Sequence, residues 1–230
     1  MAGIVEGWFE FADGRGRMQR MPLLSSGQES GHLAIVLPGR NYGPDKPVLY
    51  YPSRLMLAHG ADVLQVDYGI SREESESQNL GEQAERAASV SDLTIRAVLE
   101  QIRPEWITLI GKSLGAFVMI KLLTSNIPLP RTDCIWITPV LKQAQLAEQM
   151  EKVRQISFVA AGGSDPYSDE KALERLEKIS GMHTLVIEKA DHSLEIPGNI
   201  NESLRGLQRL LRGIEGFMGW RDFRAQWGWT

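Results

Sequence analysis

The sequence predicts a three-layer α/β fold with a mostly parallel central sheet. Short apolar runs alternate along the chain with longer segments whose apolar residues recur at helical spacing. Some of the runs, such as residues 33–37, are apolar at every position, which is typical of strands covered on both faces by helices. Right-handed crossovers between such strands place helices on both sides of one sheet.

The strands are predicted from these apolar runs. Residues 4–11 and 17–24 form an opening hairpin, because residues 13–16 (DGRG) between them suit a tight turn. Pro38 and Gly39 then end the run at 33–37. The other segments predicted as strands are residues 63–66, 106–110, 134–138, 156–161 and 183–187.

Helical patterns occupy the intervals between the strands. In residues 82–102, apolar or small side chains recur along one helical face, and Pro104 follows where a helix is expected to end. The other segments predicted as helices are residues 47–59, 114–123, 140–153, 169–179 and 202–218. Neither a repeat nor a Pro- or Ser-rich linker interrupts the pattern, so we expect one domain over residues 1–230.

Two segments depart from the alternation. Residues 71–81 are polar and acidic, and we expect them to form an exposed, mobile loop. The tail from residue 220 to residue 230 is rich in aromatic side chains, namely Trp220, Phe223, Trp227 and Trp229. We expect these to pack onto the edge of the domain, with a homodimer contact as the alternative.

Composition excludes several classes of partner. The chain has 25 Lys+Arg against 29 Asp+Glu, a net charge of −4, which argues against a nucleic-acid partner. No run approaches the roughly 20 apolar residues of a membrane span, and Glu6 and Glu10 interrupt any secretory signal. The single cysteine, Cys134, allows no internal disulfide, and its apolar strand predicts a buried thiol. We therefore expect a cytoplasmic protein without a membrane partner.

Residues 111–115 (GKSLG) match the pattern G-x-S-x-G, and their context makes the match informative. A predicted strand runs into them and a predicted helix leaves them, which is the strand–turn–helix of a nucleophile elbow. The turn is tight enough to strain the backbone of Ser113. Side chains at Gly111 and Gly115 would collide with neighbouring elements, so glycine is needed at both positions.

A phosphate-binding loop is the alternative interpretation of Gly111-Lys112-Ser113. That motif requires a glycine five residues earlier, where this chain has Trp106. In the elbow interpretation, we expect the Lys112 side chain to face solvent.

A serine hydroxyl becomes a good nucleophile only when a base takes its proton. His192 follows the last predicted strand and so lies at the same sheet edge as Ser113, whereas His32, His59 and His183 suit structural roles at element ends. Asp165 directly follows the strand at 156–161, and we assign it to orient His192. The alternatives for the acid are Asp191, beside the histidine, and Asp67, at another strand end.

The order Ser113, Asp165, His192 along the chain is that of α/β-hydrolases. On these three motifs, residues 33–218 resemble the α/β-hydrolase superfamily, and most closely its small lidless members of the dienelactone hydrolase type. Dienelactone hydrolase carries a cysteine in its elbow where this chain has Ser113, so that enzyme's own reaction is not implied.

The resemblance implies an α/β-hydrolase fold and an oxyanion hole. One donor is the backbone N–H of Leu114, the residue after the nucleophile. The other comes from residues 38–43, where we choose the N–H of Arg40; Gly39 either lets the backbone approach the substrate or only ends the strand. The residues expected to line the substrate pocket, unless they serve only loop packing, are Gly39, Asn41, Tyr42 and Tyr68.

These observations predict a serine hydrolase that cleaves an ester, a thioester or a related acyl bond of a small molecule, with no metal or organic cofactor. Only residues 140–155 separate two strands where relatives insert a lid, so we expect an open, shallow site. Three other classes stay open: a catalytically silent binding protein of the same fold, a nucleotide-binding protein, and acyl transfer or peptide hydrolysis.

Overall fold

A computed structural model of the chain describes residues 4–219. The strands within this range are β1 (Val5–Ala12), β2 (Met18–Ser25), β3 (His32–Leu37), β4 (Asp62–Gln65), β5 (Trp106–Lys112), β6 (Arg131–Ile137), β7 (Ser157–Gly162) and β8 (Met182–Ile187). The helices within it are α1 (Pro47–Ala58), α2 (Arg72–Ser77), α3 (Leu80–Gln101), α4 (Leu114–Leu123), α5 (Ala144–Met150), α6 (Glu170–Glu177) and α7 (Ile200–Phe217).

All of these strands belong to one eight-stranded sheet in the order β1-β2-β4-β3-β5-β6-β7-β8. The hairpin of β1 and β2 is antiparallel and joins β4 in antiparallel pairing. Every other neighbouring pair, from β4 through β3 to β8, is parallel. The predicted three-layer fold with a mostly parallel sheet is therefore confirmed.

The sheet is buried on both faces, as its apolar strands require. Alternate residues of β3 point to opposite sides, so that Leu33 and Ile35 pack in a core with α3 and α4, while Ala34 and Val36 pack in a core with α1 and α7. Parallel strands of this kind end at one common edge. The loops after β3, β5, β7 and β8 therefore meet there.

The acidic segment at residues 71–81 is mainly helical, so the expectation of a loop was wrong. Ser71 caps α2 by accepting from the N–H of Glu74, while the Glu74 carboxylate accepts from the N–H of Ser71. This reciprocal capping box stabilises the first turn. Ser75 on the inner side of α2 is buried and accepts hydrogen bonds from Gln83 and Arg40, so the segment is packed against the domain.

The helix predicted at residues 140–153 is shorter than expected. Thr138 has a positive φ of 43°, and a turn over residues 139–143 follows before α5 begins at Ala144. The turn is fixed from outside, because the N–H of Lys142 donates to the carbonyl of Tyr167 at 3.0 Å. One short helix occupies this interval.

The structure bears on two further expectations, the packing of the aromatic tail and the absence of a membrane span, to different extents. The aromatic tail with Trp220, Phe223, Trp227 and Trp229 lies outside the described residues. Among residues 4–219, no helix combines the length and the apolar character needed to cross a bilayer.

The start of α4 packs unusually closely against the end of β3. A Cβ atom placed on Gly115 would lie 2.1 Å from the carbonyl oxygen of Leu37. A Cβ on Gly111 would lie 2.3 Å from Sδ of Met119 and 2.9 Å from the carbonyl oxygen of Gly115. Both glycines are therefore needed for packing, as the sequence predicted.

We expect Gly115→Ala to lower the free energy of unfolding by about 3 kcal/mol, because the methyl group must displace backbone rather than a flexible side chain. Chemical denaturation followed by circular dichroism measures the change. Gly14→Ala is the matched control, since nothing lies within 4 Å of its Cβ position, and a change below about 0.5 kcal/mol is expected there. Equal stability of the two variants would contradict the packing argument.

Candidate active site

Ser113 lies in the turn between β5 and α4 with strained backbone angles, φ 50° and ψ −103°. β5 runs without interruption from Trp106 to Lys112. A phosphate-binding loop would need irregular backbone over these residues, so that alternative is wrong. The neighbouring structure holds the strain, since the N–H of Ser113 donates to the carbonyl of Ile137 at 3.1 Å.

A chain of hydrogen bonds joins Ser113, His192 and Asp165. His192 Nε2 lies 2.9 Å from Ser113 Oγ, and His192 Nδ1 lies 2.8 Å from Asp165 Oδ2. An imidazole protonated on Nδ1 donates to the carboxylate and leaves Nε2 free to accept the hydroxyl proton. The Asp165 side chain is fully buried, whereas the His192 side chain is 25% exposed, so solvent and substrate approach from the histidine and serine side.

The two alternative acids have other partners. Asp191 Oδ1 accepts from the N–H groups of Ser193 and Glu195 and so shapes the turn that carries His192. Asp67 is exposed and accepts from the N–H of Gly69. The structure therefore brings Asp165, and neither alternative, to the imidazole.

The remaining histidines lie away from this chain of hydrogen bonds. His32 is buried at the start of β3, where its Nε2 lies 2.8 Å from Thr108 Oγ1 and its ring stacks on Trp106 at 3.8 Å. Burial lowers the pKa of His32 to about 4. His59 caps the end of α1, and His183 lies in β8 with its ring against Phe217.

The acid and the histidine meet because their loops are in close contact. A Cβ on Gly162 would lie 2.4 Å from the carbonyl oxygen of Ala190, so only glycine allows the approach. Asp165 is fixed further by the N–H of Tyr167, which donates to its Oδ1 at 2.8 Å. The Tyr167 ring packs edge-on against the His192 ring at 4.9 Å. Sequence reasoning missed this contact, because only the folded loop brings the two rings together.

The predicted oxyanion donors belong to two segments, the first residue of α4 for Leu114 and the turn after β3 for Arg40. The turn after β3 is closed by reciprocal backbone hydrogen bonds between Gly39 and Tyr42, and Asn41 within it has a positive φ of 53°. The N–H groups of Arg40 and Leu114 have no hydrogen-bond acceptor within residues 4–219. They remain available to a ligand.

Similar solved structures share this architecture. An α/β serine hydrolase without a lid from Xanthomonas campestris is 16% identical and has a TM-score of 0.66, with 93% of each chain covered. An α/β serine hydrolase homologue from Coxiella burnetii is 13% identical with a TM-score of 0.65, over 90% of this chain and 97% of that one. The esterase domain of a Rhodothermus marinus protein is 14% identical with a TM-score of 0.64, over 93% and 99%.

The chain has the α/β-hydrolase fold. Comparison with family models and with curated proteins finds no match.

In this α/β-hydrolase fold a cavity of about 350 Å³ opens beside the elbow, at the lower end of the range for small-molecule sites. It lies between the turn after β3, the end of β4 and the buried side of α2. The residues predicted for the oxyanion hole and the pocket all line it: Gly39, Arg40, Asn41, Tyr42, Tyr68 and Leu114. Ile70, Ser75 in α2 and Gln83 in α3 complete one wall.

Two of these lining residues also have structural contacts. The Tyr68 hydroxyl donates to the carbonyl of Pro38 at 3.3 Å, and the N–H of Val48 donates to the Tyr42 hydroxyl at 3.3 Å. Burial raises the pKa of Tyr42 to about 12 and that of Tyr68 well above its usual value. Both phenols are therefore neutral near pH 7.

Lys112 is buried, and the expectation that it faces solvent was wrong. β5 continues two residues beyond the predicted end, so Lys112 follows Ile110 on the same face of the strand and points into the core. Its Nζ donates to Thr138 Oγ1 at 3.2 Å and to the carbonyl oxygen of His192 at 3.0 Å. Sequence reasoning missed Lys112 and Thr138 as neighbours of the site.

Among residues 4–219, no three His, Cys, Asp or Glu side chains are grouped so that they could hold a metal ion. Cys134 is buried in β6, and burial raises the pKa of its thiol.

We expect a low-field proton resonance from His192 Nδ1–H, because this group donates a hydrogen bond to a buried carboxylate at 2.8 Å. Asp165→Asn should remove this resonance, whereas Asp191→Asn should keep it, since the amide oxygen at 191 can still accept the two loop N–H groups. Proton NMR of both variants checks this. Loss of the resonance in the Asp191 variant alone would show that the wrong acid has been assigned.

Proposed function

We propose that the protein is a serine hydrolase that cleaves a carboxylic ester, a thioester or a related acyl bond through an acyl-enzyme. The observation that carries this proposal is the placement of His192 between Ser113 and Asp165, at 2.9 Å and 2.8 Å. Support also comes from similar structures, which are described as a serine hydrolase without a lid and an esterase domain.

In the first half-reaction, Ser113 Oγ attacks the acyl carbonyl carbon as His192 Nε2 takes the hydroxyl proton. Asp165 holds the imidazole in the tautomer with its proton on Nδ1 and stabilises the imidazolium. When the tetrahedral intermediate collapses, His192 gives the proton to the leaving alcohol or thiol. The acyl group stays on Ser113.

In the second half-reaction, water takes the place of the leaving group. His192 removes one of its protons, and the hydroxyl oxygen attacks the acyl carbon. Collapse returns the proton to Ser113 Oγ and releases the carboxylic acid. The chemistry is thus carried by the side chains of the described residues.

Negative charge develops on the carbonyl oxygen in both steps. The N–H groups of Leu114 and Arg40 are the proposed donors, because both residues line the cavity beside the elbow and neither N–H has an acceptor among the described residues. Loss of one such donor typically costs about 3 kcal/mol of transition-state stabilisation. The strained turn at Asn41 favours this role, since backbone strain of this kind concentrates at functional sites.

A catalytically silent protein with the same fold is the second candidate, because fold alone does not fix function. The availability of both backbone donors and the intact Ser113–His192–Asp165 chain argue against it. Acyl transfer to an acceptor other than water uses the same first half-reaction, and product analysis with competing nucleophiles distinguishes it from hydrolysis.

We expect a fluorophosphonate to form one adduct, on Ser113, with loss of fluoride. Intact mass and peptide mapping locate the adduct. Ser113→Ala should give none, and His192→Ala and Asp165→Asn should react on the order of 10³- to 10⁴-fold more slowly. Asp191→Asn is the matched control and should react like the unaltered protein. A folded protein that forms no adduct would favour the silent binding protein.

We expect short acyl esters to be preferred over long-chain lipid esters. The cavity of about 350 Å³ is small and is closed on one side by α2, which hydrogen bonds from Arg40 and Gln83 hold in place. A series of acyl esters of increasing chain length, compared by kcat/KM, tests this. A kcat/KM that keeps rising towards long chains would contradict the proposed substrate size.

A further inference from the structure

We infer that Lys112 is a positioning residue for the reaction at Ser113. Its buried side chain holds two segments in place, the loop after β8 that carries His192 (the histidine loop) and the turn after β3 that carries Arg40 (the oxyanion turn). The inference rests on the proposed function, because it concerns how the same site is held for reaction. Lys112 is among the largest side chains that are fully buried, with 1% of its surface exposed. It directly precedes Ser113.

The Lys112 ammonium joins segments that are far apart in the sequence. Nζ donates to the carbonyl oxygen of His192, in the loop after β8, at 3.0 Å. It donates to Thr138 Oγ1, at the end of β6, at 3.2 Å. It also lies 4.5 Å from the centre of the Tyr42 ring, in the turn after β3, a distance at which an ammonium is attracted to the face of an aromatic ring.

The stem of Lys112 supports the oxyanion turn directly. A Cβ on Gly39 would lie 3.4 Å from Cδ of Lys112 and 3.3 Å from its carbonyl oxygen, so the turn rests on this residue. Gly39 and Tyr42 close the turn that presents the N–H of Arg40. Displacement of Lys112 would therefore move the base and the proposed oxyanion donor together.

Stability does not explain why a cation occupies this position. A buried ammonium loses its hydration, and among the residues that the structure describes its direct contacts are neutral hydrogen-bond acceptors and one aromatic ring. Replacement of a buried charge by an apolar side chain of similar volume is often neutral or stabilising. The free-energy cost of burying the ammonium is explained if its charge holds the loop that carries His192 and the turn that carries Tyr42.

The charged groups around Lys112 lie on several elements. Burial lowers its pKa from 10.5 to about 8, and the carboxylates of Asp165 and Asp191 oppose this shift. Tyr42 is neutral in this range, and the His192 imidazole lies on the loop that Lys112 holds. Above pH 8 the ammonium becomes an amine, which binds the His192 carbonyl more weakly and is no longer attracted to the aromatic ring.

The rate of fluorophosphonate reaction at Ser113, measured against pH, tests the inference. The unaltered protein should lose reactivity above about pH 8. Lys112→Met should fold with an unchanged or higher melting temperature, react on the order of 10- to 100-fold more slowly at pH 7, and lack the loss above pH 8. Lys121→Met, at an exposed position on α4, is the matched control and should behave like the unaltered protein.

Thr138→Val provides a second test if the Met variant does not fold. It removes one acceptor from the ammonium without changing the shape of the side chain, so the loss of reactivity should move to lower pH. A Lys112→Met protein that reacts at the unaltered rate would overturn the inference, as would a slower one that keeps the loss above pH 8. A failure of the unaltered protein to react would instead count against the hydrolase proposal.

Discussion

The site depends on the close contact between the first turn of α4 and the end of β3. Gly115 permits it, since any side chain there would overlap the Leu37 carbonyl. Leu37 leads directly into the turn that carries Arg40, while Ser113 is the N-cap residue of α4 and Leu114 is its first residue. This single contact therefore places the nucleophile next to both proposed oxyanion donors. The strained backbone of Ser113, with φ 50°, is tolerated for a related reason. The tightly packed cores on both faces of the sheet prevent the turn from relaxing to another conformation.

The parallel sheet gathers the other groups at the same edge. Asp165 follows β7, His192 follows β8 and Thr138 follows β6, so each is delivered by the carboxyl end of a strand. Six non-glycine residues among 4–219 have a positive φ. Five of them lie after the carboxyl ends of β3, β5, β6 and β8: Asn41, Ser113, Thr138, Lys189 and Leu194. Backbone strain is thus concentrated in the loops that orient the side chains of the site, and the regular strands that precede these loops stabilise the strained conformations.

Local sequence patterns were sufficient to predict the fold and the proximity of Ser113, His192 and Asp165. Strands and helices are recognised by their periodicity, and the Ser113, Asp165 and His192 motifs each follow a strand, so topology alone brings them together.

The burial of Lys112 could not be predicted this way, because it depends on Tyr42, Thr138 and His192, which come from three distant segments. The strand was predicted to end at Ile110, and two further residues reverse the assignment of Lys112 from solvent to core. The acidic composition of residues 71–81 predicts a loop, whereas the spacing of Ser71 and Glu74 matches a capping box, which the structure forms.

When Lys112 loses its proton at rising pH, its contribution to stability and its contribution to loop positioning change in opposite directions. Its folded-state pKa is about 8, below the ordinary value of 10.5, so between these limits the unfolded chain binds the proton more often than the folded protein does. Stability contributed by this group therefore rises as pH increases through that window. The attraction to the Tyr42 ring and the charge-assisted bond to the His192 carbonyl weaken over the same range. A lysine kept only for stability would be better replaced by an apolar side chain, whereas a lysine kept for positioning must remain charged at neutral pH despite its cost. The direct contacts of its ammonium with the histidine loop and the oxyanion turn favour the second explanation.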